Sequence, residues 1–273
     1  MKKILALILA LVMVFAMVAC GATTETTETV ESDLAYVTEN GKMKVGITIY
    51  DPMNYYNDNG ELTGFDTEYA EAVCELLGLE AEFVEINWDT KEVELEAKSI
   101  DCIWNGMTIT EERAANMSIS NAYVKNAQVI VVLADSGITS TADLIGKTVV
   151  AEMGSAGEAQ VTGEEANADL AQAEYVGMAK QTDCLMEVKA GTADAAVLDW
   201  TLAKSMVGEG TDFADLMIVD GVELATEEYG IAFRKGSDVT AAVNTATAEL
   251  VANGFLPALA EKYGLALSPA ITG

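Results

Sequence analysis

Two arginines stand in 273 residues, Arg113 and Arg234. A guanidinium is a planar fork that can bond both oxygens of a carboxylate, so each arginine is a candidate anion-binding group. Arg113 follows Glu111 and Glu112, and a surface helix arginine paired with those acids is the plainer alternative. Acids outnumber bases by 44 to 15, a formal net charge of −29, and such a field repels nucleic acid. The chain has no histidine. That excludes a Ser-His-Asp triad, a Cys-His dyad and any histidine-ligated metal site. No residue set calls for a metal or a cofactor. Beyond Cys20, the cysteines Cys74, Cys102 and Cys184 are odd in number; small buried residues are expected, with one disulfide left open.

Positioning such groups takes a framework, and the chain has the material for it, with 51% hydrophobic residues. Alternating β-branched residues predict a strand over 42–49, ended by Asp51-Pro52. The run Asn57-Asp58-Asn59-Gly60 predicts a turn. Asp66 reads as the N-cap of a helix. Tyr69, Ala72, Val73, Leu76 and Leu77 share one face of that helix, and Gly78 ends it. A strand over 81–86, a helix over 91–98 and a strand over 100–104 follow. This β-α-β-α-β alternation predicts a largely parallel sheet with covering helices. Further strands are predicted over 128–133, 148–151, 173–176 and 195–198, and helices over 140–144 and 182–190. Val239, Val243, Ala246, Leu250 and Val251 then share a helical face that Gly254 closes.

The N-terminus is built for targeting. Lys2 and Lys3 precede an uncharged run over 4–19, short for a membrane span and suited to a secretory signal. Met17-Val18-Ala19-Cys20-Gly21 resembles the bacterial lipobox, which implies cleavage before Cys20 and lipidation of that residue. Residues 1–19 are thus expected to be a signal peptide. Residues 20–32, rich in Thr and Glu, read as a lipidated cysteine and a flexible tether. The expected place is outside the cytoplasm, anchored to the cell membrane through Cys20. A Gram-positive surface is favoured over a Gram-negative periplasm.

Five segments in order carry a wider resemblance: Gly60-Glu61-Leu62-Thr63-Gly64-Phe65-Asp66, the stretch from Ile100 through Asn105-Gly106-Met107-Thr108 to Arg113, Asp143-Leu144-Ile145-Gly146-Lys147, Gly191-Thr192-Ala193-Asp194-Ala195 with Asp199, and Glu228-Tyr229-Gly230-Ile231-Ala232-Phe233. Together they resemble the polar amino acid-binding family of solute receptors for ABC importers, family 3 of the extracellular solute-binding proteins. The resemblance implies an α/β, two-lobed periplasmic-binding-protein-like fold of type II with two hinge crossings, near 123–127 and 225–229. Lobe 1 would hold 33–124 plus 228–273, and lobe 2 would hold 125–227.

The same resemblance implies roles for particular residues. Arg113, Thr108, Ser155 and Ala156 would meet the ligand carboxylate, and Asp199, Gly106 and Thr108 its ammonium. Tyr50, Trp88, Asn105 and Glu152 would line the side-chain pocket, and Asn105 and Glu152 would suit a polar or cationic side chain. Arg234 matches a position with no ligand role. The implied function is closure of the lobes around a free amino acid for delivery to an ABC permease, by a monomer without catalysis. The alternative is a secreted cyclic-acid dehydratase on the same fold, with Glu152 or Asp199 as acid or base.

Overall fold

The computed structural model of the chain describes residues 32–164 and 166–273. The signal segment, Cys20 and the tether through residue 31 lie outside the described residues. Ser32 caps the first helix, α1 (Asp33–Asn40), by accepting from the Ala35 amide at 2.9 Å. The elements that follow are β1 (Lys42–Ile47), β2 (Tyr55–Tyr56), β3 (Leu62–Thr63), α2 (Phe65–Leu77), β4 (Glu80–Glu85), α3 (Lys91–Glu96), β5 (Cys102–Thr108) and α4 (Glu111–Asn116). Next come β6 (Ser118–Ile119), β7 (Val124–Leu133), β8 (Thr148–Glu152), α5 (Ala156–Thr162), β9 (Glu174–Met178), α6 (Gln181–Ala190), β10 (Ala195–Asp199) and α7 (Trp200–Met206). The chain ends with β11 (Leu216–Phe233), α8 (Val239–Ala252), α9 (Phe255–Tyr263) and α10 (Pro269–Thr272).

The main sheet runs β4-β1-β5-β11-β7-β10-β8-β9. Its flanks, β4-β1-β5 and β10-β8-β9, are parallel. Its middle is not: β11 runs antiparallel to both β5 and β7, and β7 antiparallel to β10. The expectation of a largely parallel sheet therefore holds on the flanks alone, and the fold is a mixed α/β architecture. The alternation of strand and helix reports each βαβ unit, but nothing in a local pattern reports how two units are joined. They are joined by two long strands. β7 spans the first predicted crossing, and β11 pairs with β7 over 216–229 and with β5 over 229–233.

Two corrections concern local structure. The helix after the Gly64 turn is capped by Gly64, not by Asp66. Asp66 lies inside the first turn, fully buried, and accepts instead from the Gly106 amide at 2.7 Å and from the Tyr123 hydroxyl at 2.9 Å. Burial pushes its carboxyl up to about 7, against the pull of those two donors. The strand predicted over 100–104 runs instead from Cys102 to Thr108, paired with β1 and β11 and buried at all seven residues. Gly78 does end α2, in the left-handed conformation that suits glycine. Cys74, Cys102 and Cys184 are buried free thiols. Among the described residues no helix is long and apolar enough to cross a membrane.

Arg234 is a strut. Its guanidinium donates to Asp33 at 3.0 Å, Asp101 at 3.2 Å, and the carbonyls of Leu95 at 3.3 Å and Ile100 at 2.9 Å. Arg234 and Asp101 are both buried. Removing one partner of a buried pair leaves the other charge uncompensated, a cost of about 3–5 kcal/mol. Arg234→Ala should thus lower the unfolding free energy in urea by about 3 kcal/mol. A loss below about 1 kcal/mol would place the pair in the class of exposed salt bridges.

Candidate functional site

The ends of β5, β8 and β10 and the loop after β1 converge on one cavity. Sequence reasoning named ten residues for a site on the described chain. All ten line this cavity: Tyr50, Trp88, Asn105, Gly106, Thr108, Arg113, Glu152, Ser155, Ala156 and Asp199. The side chains close on it and leave about 10 Å³, roughly the room that one water needs.

Arg113 reaches the cavity because α4 starts directly after β5. Thr110 caps that helix through the Arg113 amide at 3.1 Å. Arg113 is 8% exposed, so it is not a solvated surface residue paired with Glu111 or Glu112. One terminal nitrogen donates to the Thr108 carbonyl at 2.7 Å and the other to the Gly154 carbonyl at 3.0 Å. Two of its five donors are so used. The Gly154 carbonyl also accepts from Lys91 Nζ at 2.9 Å. Lys91 is itself buried, and burial, then the nearby Arg113 charge, lower its ammonium to about 8.

Gly106 takes the left-handed conformation, with φ of 57°, which glycine adopts without strain. A Cβ there would fall 2.7 Å from the Tyr50 ring, so only glycine lets β5 close against that wall. Its amide is held by Asp66. Asn105 lines the cavity, yet its polar atoms are engaged within the protein. Its amide donates to the Thr48 carbonyl at 2.8 Å and Asn54 Oδ1 at 2.7 Å, and its oxygen accepts from the Thr48 hydroxyl at 2.7 Å.

Ser155 caps α5 through the Glu158 amide at 3.0 Å, and Ala156 is its first residue. Glu152, the last residue of β8, is 3% exposed, and its Oε1 has no hydrogen-bond partner. Burial, then the charge of Asp199, pushes its carboxyl up to about 8.

Asp199 stands at the cap position of α7 but makes no cap. Its Oδ1 accepts from Asn126 at 2.7 Å and Gln128 at 2.6 Å, its Oδ2 accepts from Gln181, and its amide donates to Gln181 Oε1 at 3.0 Å. Burial raises its carboxyl above the usual range. Gln181 lines the cavity and was missed. The helix periodicity starts one residue later, so its side chain gave no signal. Tyr50, Thr201 and Tyr229 join hydroxyls behind the cavity wall, with Tyr229 at 2.5 Å from Tyr50 and 2.9 Å from Thr201.

A two-flank sheet joined by long strands, with a buried polar cavity lined from both flanks, defines a solute receptor. The chain belongs to family 3 of the bacterial extracellular solute-binding proteins, whose profile matches residues 43–266. It is similar to the arginine-binding extracellular protein ArtP of Bacillus subtilis, at 31% identity over 265 residues, 96% of this chain and 98% of that protein. Among solved structures, holo ArgBP from T. maritima matches with a TM-score of 0.73 and 35% identity, over 84% of this chain and 99% of that one. An ancestral amino acid-binding protein, a precursor of cyclohexadienyl dehydratase, matches with a TM-score of 0.75 and 29% identity, over 85% of this chain and 99% of that one.

Proposed function

We propose that this protein is the lipid-anchored, extracytoplasmic receptor of an ABC importer, and that it closes two lobes around a cationic amino acid, L-arginine first among them. The observation that carries the ligand class is Glu152, a buried carboxyl with an unpartnered oxygen in the same cavity as Arg113 and Asp199. A zwitterion has one carboxylate for Arg113 and one ammonium for Asp199. A neutral side chain would leave Glu152 without a match, and burying an unmatched polar group is costly. A guanidinium supplies the match. The similarity to arginine-binding relatives supports the same reading.

In this arrangement Arg113 takes the carboxylate with Thr108, Ser155 and the amide of Ala156. Asp199 takes the ammonium with the carbonyl of Gly106. Tyr50 and Trp88 cover the aliphatic stem, with Asn105 bracing the wall. Lobe 1 is 33–124 plus 228–273 and lobe 2 is 125–227, hinged where β7 and β11 cross. Arg113 and Lys91 in the first reach Gly154 in the second, so ligand contacts and cross-cleft contacts form together on closure. The monomer is held at the membrane through Cys20, and the closed form is what the permease reads. An enzyme acting on a cyclic acid without nitrogen would leave Asp199 without an opposite charge.

A thermal-shift screen of the protein against the twenty amino acids and prephenate tests the reading. Arginine at a hundred times its dissociation constant should add about 2.7 kcal/mol of stability. Glu152→Gln should weaken arginine about tenfold to a hundredfold, the worth of one hydrogen bond to a charge, and spare neutral amino acids. A shift with prephenate alone would favour the enzyme instead, with turnover of prephenate as the next assay.

A further inference from the structure

The amine end of the cavity holds more acid than one ammonium needs. Asp199 ends β10 opposite Gln128 of β7, and Glu227 of β11 lies opposite Asn126 of the same strand. The two acids share their donors. Asn126 Nδ2 donates to Asp199 Oδ1 at 2.7 Å and to Glu227 Oε1 at 2.6 Å. Gln128 Nε2 donates to the same two oxygens at 2.6 Å and 2.8 Å. The Thr108 hydroxyl adds a third bond to Glu227 Oε1 at 2.9 Å. Asp199 Oδ1 and Glu227 Oε1 thus each lie within 2.8 Å of the same two amide nitrogens. Carboxyls this close ionise as a pair, and the second ionisation sets like charges against each other.

We propose that Asp199 and Glu227 hold one proton between them, that the ligand's ammonium takes the place of that proton, and that Glu227 is thereby a positioning residue for the amine. The inference rests on the amino acid reading of the site. The ammonium binds intact, and the displaced proton passes to solvent. No other group changes its covalent state.

The surroundings favour this exchange. Glu152 faces the pair from β8 with acid, and Arg113 faces it from α4 with positive charge. Tyr50 and Tyr229 present phenols that burial keeps neutral. Gln181, Asn126, Gln128, Thr108 and Thr201 carry no charge. Burial, then the charge of Asp199, pushes Glu227 up to about 7. The free protein thus keeps the proton below about pH 7 and the complex does not. Through the pair alone, affinity should rise by up to about tenfold per pH unit below that point, since one proton is released per ligand bound; a proton leaving Glu152, whose carboxyl burial pushes up to about 8, would add to that rise.

Calorimetry with L-arginine at pH 6.5, in two buffers of different ionisation heat, counts the protons released. The wild type should release close to one from the pair. Glu227→Gln should release about one fewer and lose the pair's gain of about fivefold between pH 6 and pH 7. Glu152→Gln, run in parallel, should keep the pair's proton, which separates it from any proton leaving Glu152. Arginine binding by the wild type without proton release would overturn this inference alone, as would a Glu227→Gln variant that releases as many protons as the wild type. Failure of every amino acid to bind the wild type would overturn the amino acid reading and the inference with it.

Discussion

Arg113→Ala is expected to weaken L-arginine binding by about a hundredfold to a few thousandfold in titration calorimetry. Three losses coincide. The ligand carboxylate enters a cavity with no bidentate partner, and a buried charge left without one costs about 2–5 kcal/mol. The Gly154 carbonyl loses its bond from Arg113, so the tie between α4 and the loop before α5 goes too. The Thr108 carbonyl loses a donor at 2.7 Å, which loosens the end of β5 where the ligand sits. Arg113→Lys should recover a small part, because an ammonium restores the charge but not the fork. The ligand-free melting temperature of both variants serves as the check on folding. Affinity within tenfold of the wild type would show that the carboxylate is held elsewhere.

Asp199→Ala is expected to cost about a hundredfold in arginine affinity, the worth of a charge-assisted bond to a buried ammonium. Its signature is selectivity. A ligand with the guanidinium and carboxylate of arginine but no α-amine should lose less than about tenfold, since it never used Asp199. The variant also strands the amide donors of Asn126, Gln128 and Gln181, so Asp199→Asn should be measured beside it. Equal losses for the two ligands would assign Asp199 to the architecture of the site and not to the amine.

Gln181 and Glu227 mark where reading the residues stopped. Glu227 sits in the second predicted crossing, but it is one acid among 44, and nothing in its neighbours sets it apart. Its significance lies in register: β11 lies beside β7, and that places Glu227 across from Asn126. Asp66 shows the same effect in reverse. Its place before a helical run suits a cap, yet the aromatic cluster of Phe65, Tyr69, Trp104 and Tyr123 buries it, and there it serves Gly106 and Tyr123.

Local order made much of this protein legible in the sequence. Hydrophobic periodicity, β-branched runs and glycine stops depend on neighbours a few residues apart, so they located most strands and helices. The absence of histidine bounded the chemistry by itself. The ordered motifs identified the family and, through that resemblance, ten residues that line one cavity. The tertiary structure decided the antiparallel centre of the sheet, the burial that perturbs Glu152, Asp199 and Glu227, and the sharing of amide donors between two acids. Those properties come from strand register and desolvation, which depend on residues as far as a hundred positions apart, such as Asn126 and Glu227.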